Sequence, residues 1–141
     1  MSRRPKEPLW LTAPIVMAIH ADLLRQHGGL VGVRDEGLIL SALARSQNQW
    51  VYGAAHDIPD CAAAYGFGLA KNHGFSDGNK RTAFQSMYTF LGLNGFDLEV
   101  REPEAVAVMI ALASGGMTEN ALAAWLRENS TRRRRAAKAR P

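Results

Sequence analysis

The chain has 141 residues, enough for one domain with one real core. Hydrophobic residues make up 47% and charged residues 21%, an ordinary globular balance that excludes a disordered, highly charged chain. The net charge of +4 is concentrated at one end: the tail "TRRRRAAKARP" holds six of the 17 basic residues and no acid, leaving the rest with eleven basic against 13 acidic residues.

Apolar runs are short and broken by charge or glycine, so no membrane-spanning helix is expected. The basic start "MSRRPKEPLW" has no apolar signal core behind it, and the expected location is the cytoplasm. Cys61 is the single cysteine, which excludes an internal disulfide or a multi-cysteine zinc site and suits a buried structural thiol.

Residues 1–8 read as a flexible N-terminus. Thr12 is a plausible N-cap for a first helix, with Pro14 in its first turn and Gly28 to stop it. Val16, Ile19 and Leu23 share one face of that helix. Asp35 caps a second helix to about Arg45, with Leu38, Ala42 and Leu43 inward. The stretch from 46 to 58 lacks a helical period and is expected to be an ordered loop or flap. Its Trp50 and Tyr52 suit either a docking surface or the core. Pro59 opens a third helix, "PDCAAAYGFGLAKN".

After residue 80 a fourth helix carries Ala83, Phe84, Met87, Tyr88 and Leu91 on one stripe, apolar enough to be central to the core. Asn94-Gly95 ends it, and "FDLEV" suits a short strand or an extended link. Pro103 and Thr118 start two more helices, burying Ala105, Val108, Met109 and Leu112 on the first and Leu122, Trp125 and Leu126 on the second. The expected architecture is all-α: a single domain over residues 9–130, about six helices around a buried central helix, then a basic tail over 131–141 expected to be disordered.

The chemistry is concentrated in "HGFSDGNKRT", residues 73 to 82. A helix N-terminus leaves backbone N–H groups unpaired and attracts anions. Gly78 allows a tight turn there. Lys80 and Arg81 lie in the first turn, against the helix dipole, which points to an anion among them. Asp77 suits either a helix cap or a magnesium ligand beside phosphate. His73 is placed to accept a proton from a hydroxyl. Phe75 anchors the loop to the core, and Asn79 either reaches a phosphate oxygen or caps the helix. His20, His27 and His56 lack such neighbours in sequence and are expected to be structural. No Walker A loop, HExxH, GxSxG or GxGxxG is present.

His73, Phe75, Asp77, Gly78, Asn79 and Arg81 match the signature of the Fic/Doc family, which the chain resembles over roughly residues 9 to 128. "DGNKRTA", "GGLVGVRDEGLILSALAR" and "LNG" resemble its death-on-curing (Doc) branch. Adenylylating members usually carry a second glycine and a second arginine where Lys80 and Phe84 stand here. The resemblance implies a toxin of a toxin–antitoxin pair that transfers the γ-phosphate of ATP to a threonine of elongation factor Tu. It implies His73 as general base, Asp77 as the magnesium ligand, and Gly78, Asn79, Lys80 and Arg81 around the phosphates. The stretch 46–58 corresponds to the family's target-docking flap. Some members silence themselves with a Ser/Thr-x-x-x-Glu-Gly/Asn helix. Gly32 precedes Glu36-Gly37 here, and Phe84 replaces the arginine that the glutamate would engage. A separate antitoxin chain is therefore expected. The alternatives are adenylyl transfer on the same fold, and a non-catalytic domain that binds nucleic acid or ribosomes through its arginine tail.

Overall fold

The computed structural model describes residues 6–133, and four of the six helices there begin at a side-chain oxygen that caps them. Helix α1 (Ala13–His27) starts at Thr12, whose side chain accepts from Ile15 N, and stops at Gly28 in a left-handed φ of 74°. Helix α2 (Glu36–Val51) is capped by Asp35, and α3 (Ile58–Asn72) by Asp57. Helix α4 (Asn79–Leu93) follows the site loop. Helix α5 (Glu102–Ala113) has Pro103 in its first turn, and α6 (Glu119–Asn129) is capped by Thr118. The strands β1 (Phe96–Leu98) and β2 (Ser130–Arg132) pair antiparallel, Phe96 opposite Arg132. The architecture is therefore helical, with six helices and one two-stranded ribbon among the described residues.

The most enclosed helix is α3, with α4 beside it, where the apolar stripe had pointed to α4 alone. Helix α3 packs on α2, α4, α5 and α6. Its Cys61, Ala62, Ala63, Ala64 and Ala70 are wholly buried. Small side chains are the reason: they bring neighbouring backbones close, and a Cβ built on Gly68 would sit 3.0 Å from Ala42 Cβ and 3.1 Å from its Cα. The large groups lie alongside. Tyr65 stacks obliquely on Phe90, and Met87, Leu91, Leu112, Leu122 and Leu126 complete the interior. Each such side chain contributes about 1.5–3 kcal/mol by burial.

Several local expectations are corrected. Helix α2 runs six residues past Arg45 because its polar residues find partners on other helices: Ser46 Oγ donates to Cys61 O at 2.8 Å, and Gln49 Nε2 to Glu119 Oε2 at 3.0 Å. The loop before α3 is correspondingly shorter. Trp50 belongs to the core, edge-on to Trp10, while Tyr52 is 84% exposed. In α2 Ile39 is buried rather than Leu38. On α4 the buried face is Thr82, Ala83, Ser86, Met87, Phe90 and Leu91; Tyr88 is exposed and Phe84 only half-buried. Trp125 is also half-buried, its indole donating to Glu104 Oε1 at 2.9 Å.

Both ends of the expected domain extend slightly. Pro8 is buried, and Leu9 exchanges backbone bonds with the Asn94 amide at 2.8 and 3.0 Å. Within the expected tail, Thr131 and Arg132 are in β2, and Arg133 pairs with Asp97 at 2.7 Å. The remainder of that tail, from 134 on, and residues 1–5 lie outside the described residues. Among the described residues no helix is long and apolar enough to cross a membrane.

The α2–α3 contact gives a stability test. Gly68→Leu forces a side chain into Ala42 and is expected to cost about 3 kcal/mol by overpacking, measured by urea denaturation. A midpoint unchanged from the original protein would contradict the close approach.

Candidate functional site

The loop His73 to Gly78 joins α3 to α4, and the segment between α1 and α2 is laid along it. His73 ends α3 in a left-handed conformation, φ 52° and ψ 48°, the one non-glycine residue with positive φ among those described. Arg34 holds that turn: its Nε donates to His73 O at 2.8 Å and its Nη2 to Asn72 O at 3.3 Å. A cation at a helix C-terminus also suits the dipole. Gly74 O accepts from both Arg34 N and Asp35 N, Phe75 forms a bridge with Val33, and Ser76 N donates to Gly32 O at 3.1 Å. The His73 imidazole is exposed and makes no hydrogen bond among the described residues.

Phe75 is the buried anchor of the loop, 2% exposed. Its ring stacks on His20 with centroids 3.8 Å apart and planes at 12°. Asn79 clamps the same residue from the other side: Oδ1 accepts from Phe75 N at 3.0 Å and Nδ2 donates to Phe75 O at 2.9 Å. The Asn79 amide thus fixes the loop to the first residue of α4, so the direct donors left at this helix start are backbone N–H groups and the two cations.

Gly78 is the N-cap of α4, left-handed at φ 78°, and no side chain caps the helix. Glycine is favoured here because a Cβ would strain that φ. Asp77 is therefore not the helix cap. Its Oδ2 accepts from Leu30 N at 3.1 Å and its Oδ1 from Gly78 N at 2.8 Å. These two backbone donors, Leu30 first, hold its carboxyl below the usual 3.8, with Arg81 and His20 adding a smaller electrostatic effect. Lys80 and Arg81 make no salt bridge among the described residues, and the first turn has no acid. Each cation there costs about 0.3–1 kcal/mol against the dipole, a cost that a bound anion reverses.

This helix start opens on a cleft of about 650 Å³ between α1, α4 and α5. One wall is polar, Asp77 to Arg81. The rest is mostly apolar, Leu23, Phe84, Val100, Met109 and the half-exposed Val106 and Ile110, with Gln26, His27, Gln85 and Glu102 also lining it. His73 does not line this cleft; it stands at the opposite end of the loop. No group of three or more His, Cys, Asp or Glu positioned to hold a metal occurs among the described residues.

Sequence reasoning missed two supports of the site. His20 is buried, and its Nε2 lies 2.8 Å from Asp77 O. Its position four residues after Val16, on the inward face of α1, was the available signal: a polar ring on an apolar stripe requires a partner. Arg34 gave no comparable signal, since its partners lie 38 and 39 residues away. His27 lines the cleft and His56 a separate polar recess.

Against known proteins, residues 10–91 match the model of the Fic/DOC family, a span that runs from before α1 nearly to the end of α4. The chain belongs to the Fic/DOC family. Its similarity lies on the Doc side of that family. A relative from Escherichia phage P1, "Protein kinase doc", is 31% identical over 112 residues, 79% of this chain and 88% of the relative. "Toxin Doc" from Mycolicibacterium smegmatis is 49% identical over 73 residues, 50% of this chain and 55% of the relative.

The Asp77 environment predicts a pH dependence. Because its folded pKa is depressed, its contribution to stability is present above the unfolded value and is lost as pH falls through the lower folded value. Carbon-13 NMR titration of the Asp77 carboxyl is expected to give a midpoint below 3.8. A midpoint at or above that value would mean that Leu30 N and Gly78 N do not hold the carboxylate in solution.

Proposed function

We propose that the chain is the toxin of a toxin–antitoxin pair and transfers the γ-phosphate of ATP to a threonine of elongation factor Tu, arresting translation. The observation that carries this reading is the start of α4. A left-handed glycine, free backbone N–H groups, Lys80 and Arg81 meet at the mouth of a cleft, with no acid in the first helical turn to neutralise them. Three phosphates supply the missing negative charge.

In the proposed reaction the threonine oxygen bonds to the γ-phosphorus while the bond from that phosphorus to the β–γ bridging oxygen breaks. ADP leaves, and the hydroxyl proton passes to the His73 imidazole. The backbone amides of the first turn, from Asn79 on, hold phosphate oxygens where Gly78 leaves room for them, with Lys80 and Arg81 neutralising them. The work is mostly positioning and charge compensation.

Asp77 fits magnesium as the single protein ligand. An ionised carboxylate offers about four lone-pair directions, of which Leu30 N and Gly78 N occupy two. Magnesium takes one or two carboxylates and completes its shell with phosphate and water, so the lack of a wider acidic cluster among the described residues is no obstacle. When bound, the ion neutralises phosphate charge.

The name of the phage relative, "Protein kinase doc", supports phosphoryl transfer, and that of the mycobacterial one, "Toxin Doc", supports a toxin role. Within the cleft, Lys80 and Phe84 stand where adenylylating members carry glycine and arginine, which supports the same branch. With Gly32 and Phe84 removing the elements of self-inhibition, control falls to a cognate antitoxin on a separate chain.

ATP labelled at either the α- or the γ-phosphate, incubated with elongation factor Tu and magnesium, tests the reading. Only γ-label is expected to reach the factor, and His73→Ala should slow transfer by about 10²–10⁴-fold. Transfer of α-label would establish adenylylation instead.

A further inference from the structure

Histidine 20 is a buried titratable group that touches the site loop and that the reaction above does not use. It lies on α1, 57 residues from the loop it touches, and is 6% exposed. A carbonyl oxygen can only accept, so at 2.8 Å the His20 Nε2 carries the proton and donates to Asp77 O. The ring cannot swing away, because Phe75 lies flat against it at 3.8 Å.

The bond is made to one end of the Asp77–Gly78 peptide unit. The other end, Gly78 N–H, is held by Asp77's own Oδ1 at 2.8 Å. A peptide unit that enters a left-handed glycine is the kind that flips readily, since glycine accepts φ of either sign at little cost. Such a flip would turn the Asp77 carbonyl away from His20 and the Gly78 N–H away from where it points now. The Asp77 carboxylate would lose the Gly78 N–H that holds it, and a carbonyl dipole of the wrong sign would be released beside the phosphate cradle.

We propose that His20 is a positioning residue, holding the Asp77 carbonyl so that backbone N–H groups, and not a carbonyl oxygen, face the bound phosphates. This rests on the phosphate-binding reading of the α4 start. The role belongs to the Nε2–H donor, whereas the contribution to folding belongs to the ring. Two substitutions separate them. His20→Phe keeps a ring for Phe75 to stack on and removes the donor. His20→Gln places an amide N–H near the position of Nε2 and removes the ring.

Each variant is compared with the original protein by thermal unfolding, calorimetric titration with Mg-ATP, and ligand-free nitrogen-15 NMR of the Gly78 and Asn79 amides. His20→Phe is expected to unfold close to the original temperature yet bind Mg-ATP about tenfold more weakly, the effect of one lost hydrogen bond. His20→Gln is expected to unfold several degrees lower and keep affinity within about twofold. The Gly78 amide should shift and exchange faster in His20→Phe and not in His20→Gln. Affinity that follows thermal stability in both variants, or a Gly78 amide unaltered in His20→Phe, would overturn the proposal. Should the original protein bind no Mg-ATP, the phosphate reading itself fails, and the ligand-free spectra alone still decide whether His20 holds the peptide.

Discussion

From His73 to Asp77, each residue of the site loop is held by a group outside it. Arg34 grips His73 O, and the backbone of residues 34 and 35 takes Gly74 O. His20 and Asn79 enclose Phe75, Gly32 receives Ser76 N, and Leu30 N reaches the Asp77 carboxylate. Five contiguous residues therefore have almost no conformational freedom left. A loop in water would lose this entropy on binding; here it has been lost during folding. The polar groups at the α4 start consequently need no rearrangement before they meet an anion.

The rest of the fold serves that constraint. Helices α3 and α4 are the two that the loop connects, and they are the most deeply packed pair. Their separation is set where Met87 of α4 lies against Gly66 of α3, which leaves no room for a Cβ. Helix α1 lies on α4 and brings His20 to the loop, while the segment after it brings Leu30, Gly32 and Arg34. One turn of α4 then faces a cleft with a charged wall and an apolar wall. The electrostatic cost of two cations at a helix N-terminus is tolerated because burial elsewhere exceeds it several-fold.

Caps and breakers were legible in the sequence: Thr12, Asp35, Pro59, Pro103 and Thr118 begin helices as their chemistry dictates, and Gly28 ends one. So was the motif, because its residues are contiguous. What escaped was set by partners distant in sequence. Ser46 and Gln49 look like loop residues until Cys61 and Glu119 satisfy them, which is why α2 is longer than its period suggests. The pairing of β1 with residues beyond α6 had no local signature. His20 has no polar company in sequence, because its companions, Phe75 and Asp77, are neighbours only in the fold. By its place in the motif Asn79 suits a phosphate donor or helix cap, whereas its bonds to Phe75 form only once the loop turns back onto α4.

The most direct measurement of the central claim is a crystal structure with magnesium and a non-hydrolysable ATP analogue. Phosphate oxygens are expected within hydrogen-bonding distance of the backbone N–H groups of Asn79 to Arg81, with Lys80 and Arg81 turned toward them and the metal on Asp77. A nucleotide bound elsewhere, with the start of α4 left to solvent, would contradict that claim.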